Sequence, residues 1–216
     1  MRLTMMLLAA MGLAGCALGA ETTAPESVAV EAPSGEYALD PTHASVTVRV
    51  SHFGLSNYTL RFNNLNASLN FNAENPRLST ITASVATNSI ETDHPGPRDF
   101  DAELQSADWL DAGAHPLASF RSAAVVMTGP NSGRMTGELN LHGVTRPVAF
   151  DVVYNHSYAR HPFGRPISQL GFSARGVIRR SDFGITQFLP EPGTQAGVGD
   201  DVELVIEAEF VRPIAG

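Results

Sequence analysis

The sequence predicts an all-β protein of eight or nine antiparallel strands, arranged as a barrel or a sandwich. Two observations support this prediction. Short runs in which apolar and polar residues alternate recur along the chain, and breaks rich in Gly, Pro and Asn separate them. The sequence lacks the regular succession of strands and helices that builds a parallel sheet. Residues 99–112 are the one stretch with a different pattern.

The folded domain is predicted to begin near Glu36-Tyr37, and each alternating run within it predicts a strand with one apolar face. The last run is the clearest, because Val202, Leu204 and Ile206 alternate with mostly acidic residues. The apolar positions of the successive runs are Val46, Val48 and Val50; Tyr58, Leu60 and Phe62; Ala67, Leu69 and Phe71; Ile81, Ala83 and Val85; Phe120 to Met127; Leu139 and Leu141; Val148, Phe150, Val152 and Tyr154; Leu170, Phe172, Ala174 and Ile178; and Val202, Leu204, Ile206, Ala208 and Phe210.

Residues 99–112 are predicted to form a short amphipathic helix that seals an edge or an end of the sheet. Its apolar residues recur at roughly helical spacing: Phe100, Leu104 and Leu110. We expect Asp99 or Asp101 to cap the start, and Gly113 with His115-Pro116 to end the helix. The segment is either a structural plug or a lid over a cavity. We further expect Arg98 and Asp99 to pair with each other or with residues 180–182.

The N-terminus indicates an exported lipoprotein. A mostly apolar run from Leu3 to Leu13 has the length of a signal-peptide core and is too short to cross a bilayer. It ends in Leu13-Ala14-Gly15-Cys16, which resembles the lipobox of bacterial lipoproteins, where cleavage precedes a cysteine that is then lipidated. Ordinary signal-peptidase cleavage after Ala17-Leu18-Gly19 is the alternative. By analogy with lipoproteins, Ala17 favours the outer membrane.

This pattern divides the chain into three parts. Residues 1–15 are predicted to be the signal peptide, and residues 16–35 the lipidated cysteine and a flexible tether, because this stretch lacks aromatic residues. Residues 36–213 are the folded domain. We expect the protein to face the periplasm in the bacterial cell envelope and to be attached to a membrane through acylated Cys16.

Charge and composition exclude several classes of function. The formal net charge is −8, which argues against binding nucleic acid. All 14 basic residues are Arg, so a P-loop lysine and Schiff-base chemistry are excluded. Cys16 is the only cysteine, which excludes an internal disulfide and a multi-cysteine metal site. The oligomeric state is left open, with a homodimer as one option.

Several ordered motifs together resemble the YceI-like, lipid/polyisoprenoid-binding family. The resemblance extends over roughly Tyr37 to Phe210, with Glu103 standing where many members have a histidine. The motifs that carry it are Tyr37-Ala38-Leu39-Asp40-Pro41-Thr42-His43, His52-Phe53-Gly54, Ser89-Ile90-Glu91-Thr92, Ser106-Ala107-Asp108-Trp109-Leu110-Asp111, Gly143-Val144-Thr145-Arg146-Pro147 and Arg180-Ser181-Asp182-Phe183-Gly184.

The resemblance implies an extended, lipocalin-like barrel of about eight strands whose apolar interior holds a polyisoprenoid or similar long lipid. The protein would act as a carrier or buffer rather than as an enzyme, with no cofactor and no metal. The predicted apolar lining comprises Val48, Val50, Phe62, Leu69, Ile81, Val85, Phe150, Phe172 and Ile206. Three polar groups are expected to meet a headgroup at the mouth: His43, Arg98 and Arg180.

Two alternatives to a carrier remain open. The protein could be a hydrolase or isomerase that acts on a lipid, with His94, Asp99 or His43 as the acid or base. It could also be a filled barrel that serves as a stress-related interaction module. The seven histidines show no close metal-ligand spacing and are expected at the surface or at strand ends.

Overall fold

The computed structural model describes residues 29–215 of the chain. These residues contain ten antiparallel strands and one short α-helix. The predicted signal peptide and lipidation site at Cys16 lie outside the described residues. No helix within residues 29–215 has the length and apolar character needed to span a bilayer. The elements are β1 (Gly35–His52), β2 (Ser56–Phe62), β3 (Leu65–Phe71), β4 (Thr80–Ala86), β5 (Ile90–Glu91), α1 (Phe100–Leu104), β6 (Leu117–Met127), β7 (Ser132–Leu141), β8 (Val144–Tyr158), β9 (Ile167–Arg179) and β10 (Val198–Pro213).

Eight of these strands close into a barrel, in the order β10-β9-β8-β7-β6-β4-β3-β1, because β1 also pairs with β10. The first part of β1 pairs with β3 and its second part pairs with β2, which continues to β5. A register shift on β1 between Leu39 and Ala44 marks the change of direction. The prediction of an all-β antiparallel barrel of about eight strands is therefore confirmed.

The alternation along the strands places one face of each strand inside the barrel. On β1 and β10, Val46 lies opposite Ile206 and Val48 lies opposite Leu204. The buried side chains form two clusters. One contains Ala32, Tyr37, Ala67, Leu69, Phe71, Tyr154, Leu170 and Phe210, and the other contains Val48, Leu139, Ile178, Phe183 and Val202.

The helix is shorter than predicted. Asp99 caps it as expected, since its side chain accepts a hydrogen bond from the Ala102 amide at 2.9 Å. The α-helix ends at Leu104, and turns continue the chain, with the Asp111 amide bonded to the Ser106 carbonyl at 2.8 Å. Ser106 and Asp108 favour turns over helix because their side chains compete for backbone groups. Residues 98–116, here called the plug segment, are thus one helical turn followed by loops.

The end of the predicted tether contacts the barrel. Ala32 is buried, and the amides of Glu31 and Ala32 both donate to the Ser157 hydroxyl at 2.9 Å. The Arg212 guanidinium donates to the Ser34 carbonyl at 2.7 Å. Residues 29–34 therefore belong to the folded domain, and the rest of the tether predicted for residues 16–35 lies outside the described residues.

Candidate ligand-binding cavity

An apolar cavity of about 620 Å³ lies inside the barrel, within the usual range for small-molecule sites. All ten strands contribute side chains to its wall, and Phe100, Leu104, Trp109 and Leu110 of the plug segment complete it. The wall includes Arg98, whose side chain is 56% exposed, and Val30, which is 42% exposed. Since Val30 precedes β1 and the plug segment contacts β2 and β5, the cavity reaches the surface near both ends of the barrel.

Side-chain size decides where the interior stays open. Ala83 and Ala174 point into the cavity and leave space there. Gly176 has a different effect: a Cβ atom added to it would lie 2.7 Å from Cδ1 of Phe150. The glycine therefore makes room for an aromatic ring and not for a ligand.

All nine apolar residues predicted to line the interior lie in the cavity wall: Val48, Val50, Phe62, Leu69, Ile81, Val85, Phe150, Phe172 and Ile206. Arg98 and Arg180 border on the cavity as well. Contact of these residues with a ligand stays a prediction. The period-2 alternation accounts for the correct side of each strand, because a residue that faces the interior is followed by another two positions later.

His43, expected at the mouth, is not among the residues of the cavity wall. Its ring is exposed, with Nδ1 3.1 Å from Oδ2 of Asp40 and 3.8 Å from Oε2 of Glu209. The hydrogen bond with Asp40 raises the pKa of His43 above its ordinary value. The register shift on β1 follows Leu39, so the alternation that placed the valines of this strand does not extend to His43.

The expected pairing of Arg98 with Asp99 or with residues 180–182 is wrong. Arg98 binds Glu103, with Nε 2.8 Å from Oε2, and its guanidinium lies 4.7 Å above the Phe100 ring. Asp99 caps the helix instead. Arg98 lies just before the cap residue Asp99, so the first turn of α1 brings Glu103 back towards it, and this contact competes with any longer-range pair.

Arg180 is buried and holds the connection between β9 and β10. Its guanidinium donates to the carbonyls of Gly199 at 2.8 Å, Val198 at 2.8 Å and Ile185 at 3.1 Å. Burial lowers the pKa of Arg180, and the charge of nearby Asp200 opposes that shift. Its main role is therefore structural, although one face of the guanidinium lies 5.6 Å from the Trp109 ring in the cavity wall.

His94 is a wall residue that the sequence suggested only as a catalytic candidate. Its ring packs against Phe100 at 5.4 Å, and its Nδ1 is the one buried side-chain nitrogen or oxygen in residues 29–215 that lacks a hydrogen-bond partner. Buried polar atoms usually have a hydrogen-bond partner, so this nitrogen is available to a polar group in the cavity. Neither periodicity nor spacing marks this residue, because it lies in a loop.

The three proposed acid/base residues are not brought together. Asp99 is engaged as a helix cap and His43 pairs with Asp40, so His94 is the only one of the three that borders on the cavity. Two clusters in the described residues could supply three ligand atoms to a metal: Asp111 with His115 and His142, and Asp40 with His43 and Glu209. The sequence did not indicate either, since their members come from different elements.

Comparison with known proteins identifies the family. The model of the YceI-like domain matches residues 37–210. The chain belongs to the YceI-like family. A UPF0312 protein of Pectobacterium atrosepticum is 35% identical over 181 residues, 83% of this chain and 88% of the relative. One of Azotobacter vinelandii is 31% identical over 207 residues, 95% of this chain and 97% of the relative.

Solved structures of the family share the fold. BcnA of Burkholderia cenocepacia superposes with a TM-score of 0.66 at 20% identity, covering 79% of this chain and 98% of BcnA. A domain of Saccharophagus degradans described as polyisoprenoid-binding has a TM-score of 0.59 at 13% identity, covering 82% of this chain and 98% of that domain. At these identities the likeness extends to the fold alone. The match of the family model and the relative at 35% identity confirm the resemblance found in the motifs.

Proposed function

We propose that the protein binds one long apolar lipid of the polyisoprenoid class inside the barrel and carries or buffers it without changing it. The observation that carries this proposal is the cavity of about 620 Å³, walled by aliphatic and aromatic side chains and bordered by exposed residues at both ends. A chain without polar groups needs only exclusion from water and a matching shape, and this wall offers both. The description of the Saccharophagus degradans domain as polyisoprenoid-binding supports the same ligand class.

The free energy available is sufficient for useful affinity. Full burial contributes about 0.8 kcal/mol per CH₂ group, so one five-carbon isoprene unit contributes at most about 4 kcal/mol. Association costs about 4–15 kcal/mol, and micromolar affinity requires a further 8 kcal/mol or so. About three to six buried units therefore satisfy the requirement.

The plug end of the cavity is suited to the polar end of such a ligand. His94 offers a buried nitrogen that lacks a partner in the described residues, and exposed Arg98 lies beside the same ring of Phe100. A hydroxyl, carbonyl or anionic headgroup at this end would satisfy His94. The opposite end, near Val30, offers mainly apolar groups to a chain terminus.

Filling the cavity tests the proposal. Ala174→Phe places a ring in the wall of β9 where the ligand would lie, and we expect the delipidated variant to lose at least about tenfold in affinity for a fluorescent isoprenoid probe. Titration followed by fluorescence measures this, and circular dichroism checks the fold. Val177→Phe is the matched control, because Val177 lies on the same strand and is 60% exposed.

The outcomes separate the alternatives. Loss of binding in Ala174→Phe with retention in Val177→Phe supports the carrier. If the wild-type protein takes up neither isoprenoid nor fatty-acyl probes, the carrier proposal fails and the interaction module remains. Chemical turnover of a bound lipid that disappears in His94→Ala would indicate the hydrolase or isomerase instead.

The proposed place of action is the bacterial envelope. A lipidated Cys16 would hold the barrel at the periplasmic face of a membrane, with the outer membrane favoured by Ala17. Membrane attachment places the cavity close to the source and destination of an apolar lipid. A lipid carrier gains from this placement because its ligand is almost absent from water.

A further inference from the structure

Outside the cavity wall, three potential metal ligands meet at the plug end of the barrel. One ligand atom from each of Asp111, His115 and His142 lies within 4.8 Å of the other two, and all three residues are half-buried. Asp111 and His115 belong to the plug segment, and His142 lies in the turn between β7 and β8. The two histidine rings meet edge to face, with centroids 5.3 Å apart.

The backbone that presents Asp111 and His115 is fixed from both sides. The His115 amide donates to the Asp111 carbonyl at 2.8 Å, which closes a tight turn. The His115 carbonyl accepts from the hydroxyl of Thr87 at 2.7 Å, and Thr87 is completely buried. Neither residue therefore depends on a bound ion for its position.

His142 is oriented as metal-binding histidines usually are. Its Nδ1 lies 3.0 Å from the carbonyl oxygen of buried Phe183. A carbonyl can only accept, so Nδ1 carries the hydrogen and the lone pair of Nε2 is left available. A hydrogen bond from the second ring nitrogen to a carbonyl is the arrangement that fixes tautomer and ring direction in metal sites.

The turn between β7 and β8 also favours a metal site, because its conformation brings the rings of His115 and His142 together. His142 and Gly143 have φ angles of 52° and 74°, so they form a two-residue hairpin turn with positive φ at both positions, where Asn-Gly is preferred. A Cβ atom at position 143 would lie 2.5 Å from Cε1 of His115. Glycine is thus needed both for the turn and for the approach of His115 to His142.

We propose that Asp111, His115 and His142 bind a divalent transition-metal ion of the zinc class, which joins the plug segment to the β7–β8 hairpin. Two imidazoles and one carboxylate form a zinc ligand set that leaves a fourth position for water. Zinc bonds of about 2.1 Å place tetrahedral ligand atoms about 3.4 Å apart. The ligand atoms therefore need to move by only about 1 Å, through side-chain rotation, to complete the site. Calcium and magnesium prefer oxygen ligands and are disfavoured here.

The cluster of Asp40, His43 and Glu209 provides the contrast. Its histidine is exposed and its Nδ1 lies 3.1 Å from Asp40, whereas His115 and His142 are half-buried. His43 is therefore the appropriate control position. A substitution of His43 tests whether zinc binds specifically at the plug end or at any histidine that lies beside carboxylates.

Occupancy would affect the cavity as well as stability. Trp109 and Leu110 line the cavity immediately before Asp111 in the chain. An ion bound to Asp111 and His115 would hold this part of the wall against the barrel. The three ligand side chains lie outside the cavity wall, so zinc binding does not require a bound lipid.

The experiment uses the full-length chain freed of metal with a chelator, then titrated with ZnCl₂ by calorimetry and followed by thermal unfolding. We expect the wild-type protein and His43→Gln to bind one Zn²⁺ per chain with a rise in Tm. His142→Asn keeps a residue that tolerates the turn, so it should fold while binding zinc at least about tenfold more weakly.

Histidine NMR signals identify the ligands directly, since zinc should shift the ring signals of His115 and His142 and leave those of His43 in place. The proposal is overturned if the wild-type protein shows no zinc-dependent change in Tm. It is equally overturned if His142→Asn binds zinc as tightly as the wild type, or if His43→Gln abolishes binding.

Discussion

At the scale of single residues, charged side chains near the plug segment are satisfied locally rather than across the barrel. Arg180 donates to three backbone carbonyls, and Arg98 binds Glu103 five residues further along the chain. The sequence indicated which charges would be important but not their partners. Partner choice depends on loop conformation, which has no periodic signal in the sequence.

Asp99 illustrates the difference between a cap and an ion pair. Loss of a buried ion-pair partner would cost several kcal/mol, whereas loss of an N-cap costs about 1 kcal/mol. We therefore expect Asp99→Ala to lower Tm by about 2–4 °C in a domain of this size. Thermal unfolding by circular dichroism measures the change.

Asp99→Asn serves as the control, because an amide oxygen can also cap the Ala102 amide and Tm should remain near that of the wild type. An equal loss in Asp99→Asn would mean that the negative charge, and not the cap, is responsible.

At the scale of secondary structure, the strands were largely predictable and the plug segment was not. Alternation with a period of two residues specifies both the strand and its buried face, as Val202, Leu204 and Ile206 show. The helix was predicted from only three apolar residues, and just one turn of it forms, ending at Leu104. Residues 29–34 contain no aromatic residue and no alternating pattern, so composition alone assigned them to the tether.

The packing of β8 against β9 depends on a glycine and an aromatic ring. A Cβ atom at position 176 would lie 2.7 Å from Phe150 and 2.8 Å from the Ala149 carbonyl oxygen. We expect Gly176→Ala to destabilise the protein by about 1–3 kcal/mol, because the ring and the backbone must both move. Chemical denaturation gives the free energy of unfolding.

Gly171→Ala is the matched control on the same strand, since nothing lies within 4 Å of a Cβ atom there, and its effect should stay within about 0.5 kcal/mol. Combining Gly176→Ala with Phe150→Leu should recover part of the loss, which a double-mutant cycle measures. Equal effects of the two alanine substitutions would show that the ring is not what requires Gly176.

At the scale of the whole molecule, the inner and outer faces of the barrel wall differ in polarity. Its interior provides the apolar cavity, while its outward face carries most of the charge, as with the Arg49–Glu203 and Arg134–Asp151 pairs across neighbouring strands. The sequence alone could not decide whether the barrel contains a cavity, because a barrel of eight strands can be filled by its own side chains or hold a ligand. The sizes and contacts of particular side chains decide between these cases.

Membrane attachment through Cys16 is a prediction that concerns the whole molecule, and a substitution at this residue tests it. The chain has a net charge of −8, so anionic lipid headgroups repel it and attachment should depend on the acyl chains. Each buried CH₂ group contributes about 0.8 kcal/mol, and two or more chains hold a protein stably. We expect Cys16→Ser to abolish labelling by an alkyne-tagged palmitate and to yield either soluble protein or an uncleaved precursor.

Fractionation and immunoblotting distinguish these products, with Ser27→Cys in the Cys16→Ser background as a control for cysteine content. A Cys16→Ser protein that is cleaved and still sediments with membranes would contradict lipidation at this residue.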